Sequence, residues 1–145
     1  MLEKDINLEK PGEEEVTIEQ KAIGLNYIDT YHRSGLYPLK LPTGIGAEGA
    51  GIITKIGSNI KDFKIGDRVC YANIPIGAYC EIRDFPAEYL IKIPNQISND
   101  EAASVFLKGM TVEYLFERLH KIQNDEYILF HAAAGGVGLI PSQWA

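Results

Sequence analysis

One stretch, YILFHAAAGGVG over residues 127–138, constrains this chain more than any other. Tyr127, Ile128, Leu129, Phe130 and His131 read as a strand, and the alanines and glycines after them read as a turn into a helix that begins with Leu139 and Ile140. Residues 133–138 fit the pattern G-x-G-x-x-G with alanine in its first slot. In such a turn Gly135 lets the backbone approach a pyrophosphate and Gly138 lets the helix lie close to the strand. The first free N–H groups of that helix favour negative charge. An ordinary glycine-rich turn fits the same residues. The acidic or basic residue that would recognise a ribose falls about 20 positions beyond such glycines, past Ala145. The chain is therefore expected either to be a fragment or to keep the turn without the rest of a nucleotide site.

With 145 residues, 46% of them apolar, there is enough chain for one domain with a core and too little for two complete ones. No apolar run reaches the length of a membrane span. The net charge of −6 without a basic cluster argues against nucleic acid or an anionic membrane as partner. No secretory signal is evident in MLEKDINLEK, and two cysteines, Cys70 and Cys80, do not make a disulfide framework. A soluble cytoplasmic protein is expected.

Two strands around a turn at Pro11-Gly12 are expected between residues 5 and 25, the second over residues 16–22. Residues 26–34, NYIDTYHRS, read as a helical turn or loop closed by Gly35, dense in side chains that can bind as well as pack. In GIGAEGAG, residues 44–51, glycines alternate with small residues, as at bulges or close approaches. Glu48 is the single charge there and reads as a polar group pinning adjacent strands. Residues 63–71 read as extended segments around a turn at Gly66-Asp67, with Val69 and Tyr71 on one strand face, and further strands expected over residues 77–82 and 89–93 suggest a β-rich, barrel-like body. Ser98 or Asn99 can cap a helix beginning near Asp100. After Lys108-Gly109 a second helix, residues 110–120, carries Val112, Leu115, Phe116 and Leu119 at helical spacing. Pro141 falls inside the helix expected after the glycines, where a proline costs about 3 kcal/mol unless it sits in the first turn.

The blocks AIGLNYIDTYHRSGLYP, GAEGAG, IGDRV, FLKGMTVEYL and LFHAAAGGVG resemble the medium-chain dehydrogenase/reductase superfamily, and within it the zinc-independent NADPH:quinone oxidoreductase (zeta-crystallin) branch. The resemblance runs from residue 8 to the end. It implies a β-rich GroES-like barrel with helices over residues 1–107. The first strand, glycine turn and helix start of a truncated Rossmann domain would follow over residues 108–145. Relative to the family the chain is expected to begin late, without the first strand, and to stop in the first helix of the nucleotide domain.

Zinc-dependent members of the superfamily hold a catalytic metal with Cys, His and Cys. Aligned block on block, those positions carry Asn26, Ala47 and Lys108, which do not form a tetrahedral zinc set. His32, His120, His131, Cys70 and Cys80 have no metal-like spacing either, so no metal is expected. The reaction implied is hydride transfer from NADPH to a quinone or activated enone, an acceptor whose oxyanion is delocalised and needs no Lewis acid. By resemblance, Asn26 and Tyr31 polarise the substrate oxygen, and Tyr27, Ile28, Asp29, Thr30 and Tyr31 lie by the nicotinamide. Lys108, Thr111, Tyr114, Gly135, Gly136, Val137 and Gly138 are further cofactor contacts. A homodimer is implied for the full-length form. The alternative is a truncated, non-catalytic GroES-like module that binds a partner or regulates.

Overall fold

The computed structural model describes residue 5, residues 8–72 and residues 74–144, in two compact units, Met1–Ser104 and Val105–Ala145. In the first unit, strand β1 (Glu15–Gly24) is followed by helix α1 (Tyr27–Ser34) and strand β2 (Glu48–Ile56). Strands β3 (Arg68–Ala72), β4 (Ile82–Pro86) and β5 (Ile91–Lys92) complete one sheet in the order β4-β1-β2-β3-β5. Each pairing among the described residues is antiparallel. The strand expected before Pro11 falls partly on residues 6 and 7, outside the described residues.

Alternation of apolar residues sets the register, because successive side chains leave a strand on opposite faces. Val16 and Ile18 of β1 are wholly buried, as are Ile53 of β2, Val69 and Tyr71 of β3, and Phe85 of β4. They form the core with Ala78, Ala87 and Leu90, and Ile56, Ile60 and Phe63 pack against it. The Tyr71 and Phe85 rings lie 4.2 Å apart, and the Arg83 guanidinium sits 4.7 Å from the Phe85 centroid. The ladder between β1 and β2 shifts register between Thr17 and Ile18 and again between Gln20 and Ala22. Such irregularities bend a strand.

The expected barrel does not form: the sheet is open, with β4 and β5 as its edges. Closure requires edge strands long enough to share a staggered ladder. Here β5 is two residues long, both exposed, and a 3-10 turn over Ala87–Tyr89 separates it from β4. Residues 77–81 are loop rather than strand, so β4 starts later than the sequence suggests.

Helix α2 (Asn99–Glu113) begins at the expected cap. Ser98 N–H and Oγ both donate to Glu101 Oε2 at 2.7 Å, and Glu101 N–H donates to Ser98 Oγ at 3.1 Å, a reciprocal capping box. The helix does not break at Gly109; it runs on to Glu113 and continues as a π-helical turn over Tyr114–Leu119. A single glycine inside a helix costs only about 1 kcal/mol relative to alanine, too little to end it.

In the second unit the expected strand over residues 127–131 is also absent, which corrects the truncated-Rossmann expectation. Tyr127 is fully exposed and Leu129 is 84% exposed. A strand is stable only when its N–H and C=O groups pair with a neighbour, and no strand lies within 105–144 among the described residues. The apolar pattern therefore has nothing to ladder against. Helix α3 (Pro141–Trp144) starts at the proline itself. There the missing N–H is one a helix leaves unbonded anyway, so the expected penalty does not arise. Among the described residues no helix is long and apolar enough to cross a membrane.

Candidate functional site

The polar residues of NYIDTYHRS are organised by the start of α1. Asn26 precedes the helix in extended conformation, and the Asp29 N–H bonds back to its carbonyl at 3.0 Å. Asp29 Oδ2 reaches back in turn to the Asn26 N–H at 3.0 Å. A carboxylate in the first turn also suits the positive end of the helix. From the other side, Asn26 Nδ2 donates to Glu48 Oε2 at 2.7 Å. Asn26, Asp29 and Glu48 are all buried, with Glu48 wholly inaccessible. Glu48, read from sequence as a pin between strands, thus also holds the amide at the head of α1.

A residue absent from the sequence expectations completes this network. Tyr79 Oη donates to Asp29 Oδ2 at 3.0 Å. Burial, and then the Asp29 carboxylate, push the Tyr79 phenol up to about 12, so it is a neutral donor at physiological pH. Its loop is bound to residues 45 and 46: Gly77 and Ala78 N–H donate to Gly46 O at 2.8 and 3.0 Å, and Tyr79 N–H donates to Ile45 O at 2.9 Å. Gly46 has φ +96, and a Cβ there would come 2.2 Å from Tyr79 Cδ1. The ring therefore lies directly on that glycine backbone. Reading residues 77–82 as a strand concealed this tyrosine. The signal that could have found it is Pro75 and Gly77, loop-forming residues just before Tyr79.

The remaining face of α1 is aromatic. Tyr31 stacks edge-on with Tyr27 at 5.2 Å and tilts against Tyr37 at 5.2 Å. Tyr27 is 75% exposed. The Tyr27 and Tyr31 hydroxyls make no hydrogen bond among the described residues, while Thr30 Oγ1 donates to Tyr27 O at 2.7 Å. Ile28 is half-buried on the same helix. Chemically, the site offers a side-chain amide held by Glu48 on a backbone held by Asp29, and two uncommitted phenols on the helix that follows, all able to donate without becoming charged.

Cys70, which pairs with Ala50 across the sheet, is driven up to about 11 by burial and then by the Glu48 charge. Cys80 is also raised, mainly by burial. Neither is poised as a nucleophile. Among the described residues no three His, Cys, Asp or Glu side chains gather as a metal would require. The three positions aligned with zinc ligands carry an amide, a methyl and an ammonium.

In the second unit, Lys108 and the glycine turn come together. A Cβ on Gly136 would meet Lys108 Cε at 3.1 Å and Cδ at 3.3 Å, so the lysine stem lies over the turn. Gly135 N–H bonds to Ala132 O at 2.8 Å and Leu139 N–H to Gly135 O at 2.9 Å, leaving the N–H groups of Gly136, Val137 and Gly138 without a backbone acceptor among the described residues. A Cβ on Gly138 would lie 2.5 Å from Ala132 O and Ala133 Cα. Its close approach is thus to the turn rather than to a strand. Free donors beside a cationic stem fit an anionic group such as a pyrophosphate. Thr111 is committed elsewhere, its Oγ1 donating to Leu107 O at 3.0 Å, and Tyr114 is 54% exposed at the start of the π turn.

Residues 12–95 match the model of the alcohol dehydrogenase GroES-like domain. A quinone oxidoreductase of Pseudomonas aeruginosa is 50% identical over 143 residues, an alignment covering 98% of this chain and 44% of that protein. Quinone oxidoreductase 1 of Escherichia coli is 54% identical over 136 residues, covering 93% and 42%. A solved Escherichia coli quinone oxidoreductase in complex with NADPH superposes with a TM-score of 0.94 at 51% identity, covering 97% of this chain and 44% of that one. The chain thus spans less than half the length of the curated relatives it matches.

Proposed function

The chain belongs to the alcohol dehydrogenase GroES-like family and closely matches its zinc-independent quinone oxidoreductase branch, and from that premise we propose that it is the substrate-holding part of an NADPH-dependent quinone reductase. NADPH, when bound, supplies the hydride. Tyr31 donates its hydroxyl to the acceptor oxygen, and Asn26, its amide fixed by Glu48, sets the polar wall beside it. Tyr27, Ile28, Asp29 and Thr30 flank the nicotinamide end, with Asp29 acting by holding the head of α1. The pyrophosphate is taken by the free N–H groups of Gly136, Val137 and Gly138 next to Lys108, with Gly135, Thr111 and Tyr114 as neighbours. This assignment divides the chain at residues 1–107 and 108–145, substrate side and nucleotide side.

A quinone, or an enone activated to similar degree, is the acceptor class that suits this donor set. Neutral phenol and amide donors stabilise a delocalised oxyanion without a Lewis acid. The observation that carries the reading is Asn26, held by Glu48 at 2.7 Å where zinc-dependent members place a thiolate. Two free thiols accord with a reducing cytoplasm. Two copies pair in the protein that carries this chain, which light scattering reads directly.

The test is NADPH oxidation by that protein with a naphthoquinone, with and without a metal chelator. Turnover that survives the chelator is expected, and Tyr31→Phe is expected to lower kcat by about ten- to a hundredfold while leaving the NADPH dissociation constant unchanged. Chelator-sensitive turnover, or none with any quinone, would reject the reading.

A further inference from the structure

We infer that Tyr79 is a positioning residue for quinone reduction, acting through Asp29 on Asn26; the inference rests on the role proposed for Asn26. The head of α1 is held at three points. Glu48 takes the Asn26 amide at 2.7 Å, and Asp29 takes the Asn26 N–H at 3.0 Å. Tyr79 fixes the same Asp29 oxygen at 3.0 Å. Asp29 Oδ1 is buried and has no hydrogen-bond partner, so the carboxylate depends on what its other oxygen receives. Only two donors reach Oδ2 among the described residues, one from Asn26 itself and one from Tyr79. Without the phenol the carboxylate is anchored solely by the group it is meant to hold.

The tyrosine is itself fixed by backbone. Three N–H bonds tie residues 77–79 to residues 45 and 46, and the ring lies on Gly46. Gly46 is two residues before Glu48 in the chain. The loop that seats Tyr79 and the strand end that seats Glu48 are therefore one continuous segment, and it grips Asn26 from both directions. A displacement of that segment moves the anchor of the Asn26 side chain and the anchor of its backbone together. Small misplacements of a polarising group cost turnover far more than they cost binding.

A double-mutant cycle on Tyr79 and Asn26 tests this. Tyr79→Phe keeps the ring on Gly46 and removes only the hydroxyl. The expected result is a roughly tenfold fall in kcat with naphthoquinone and an unchanged KM for NADPH. In an Asn26→Ala background the same substitution is expected to change kcat less than about twofold, because coupled residues are not additive. Equal losses in both backgrounds, or no loss from Tyr79→Phe, would overturn the inference. Hydrogen exchange of the Asn26 amide provides a readout independent of activity: it is expected to speed up about tenfold in Tyr79→Phe, and unchanged exchange also overturns the connection. If the unmodified protein reduces no quinone, the proposed function fails while the exchange measurement still decides whether Tyr79 holds Asn26.

Discussion

Asp67 illustrates how a single side chain carries a measurable consequence. Its Oδ2 accepts from Lys92 Nζ at 2.9 Å and from the Lys64 N–H at 3.1 Å. The Lys92 hydrogen bond, followed by the smaller Lys64 contributions, holds its carboxyl below the ordinary carboxylate range against the effect of burial. A depressed carboxylate favours the folded state while ionised, so its contribution is fully present above about pH 4 and lost as pH falls through the folded value. Lys92 is half-exposed, and solvent screening keeps the effect under about 1 kcal/mol. Asp67→Asn is therefore expected to lower the urea midpoint at about pH 7 and to lower it progressively less as the pH falls below about 4. Gly66-Asp67 was legible in the sequence as a turn, since glycine and aspartate are turn formers; the lysine partner, 25 residues away, was not. The same limit hid Tyr79 from Asp29; the cap between Asn26 and Asp29, only three residues apart, also went unread, since residues 26–34 read only as a helical turn or loop.

At the scale of elements, local chemistry read well where it was self-sufficient. The cap at Ser98 and Glu101 and the alternation in β1 and β3 needed only neighbours a few residues away. Gly109 misled because its helix cost was taken as a break, while the surrounding residues keep α2 continuous. A Cβ on Gly109 would meet nothing within 4 Å, so Gly109→Ala is expected to raise stability by up to about 1 kcal/mol, read as a higher denaturation midpoint. A lower midpoint would show that the methyl is not accommodated. Pro141 was placed inside a helix by sequence and stands at the head of one in the structure, which turns a breaker into a starter.

For the whole molecule, stability is expected to be uneven. The amides of residues 127–130 lie in an exposed run with no strand beside them among the described residues, whereas Ile53, at the centre of the sheet, donates to Asp67 O at 3.0 Å. Hydrogen exchange is expected to be fast over 127–130 and slow over β2; equal protection would mean that the run is paired. Sequence alone determined the family, the strand alternation, the cap at Ser98 and the donor types at Asn26 and Tyr31, because each depends on residue identity and short spacing. The closure of the sheet, the fate of residues 127–131, and the tie from Tyr79 to Asp29 were decided only by tertiary structure. Each depends on what a group meets across the fold, and a strand or a buried carboxylate exists only with its partner.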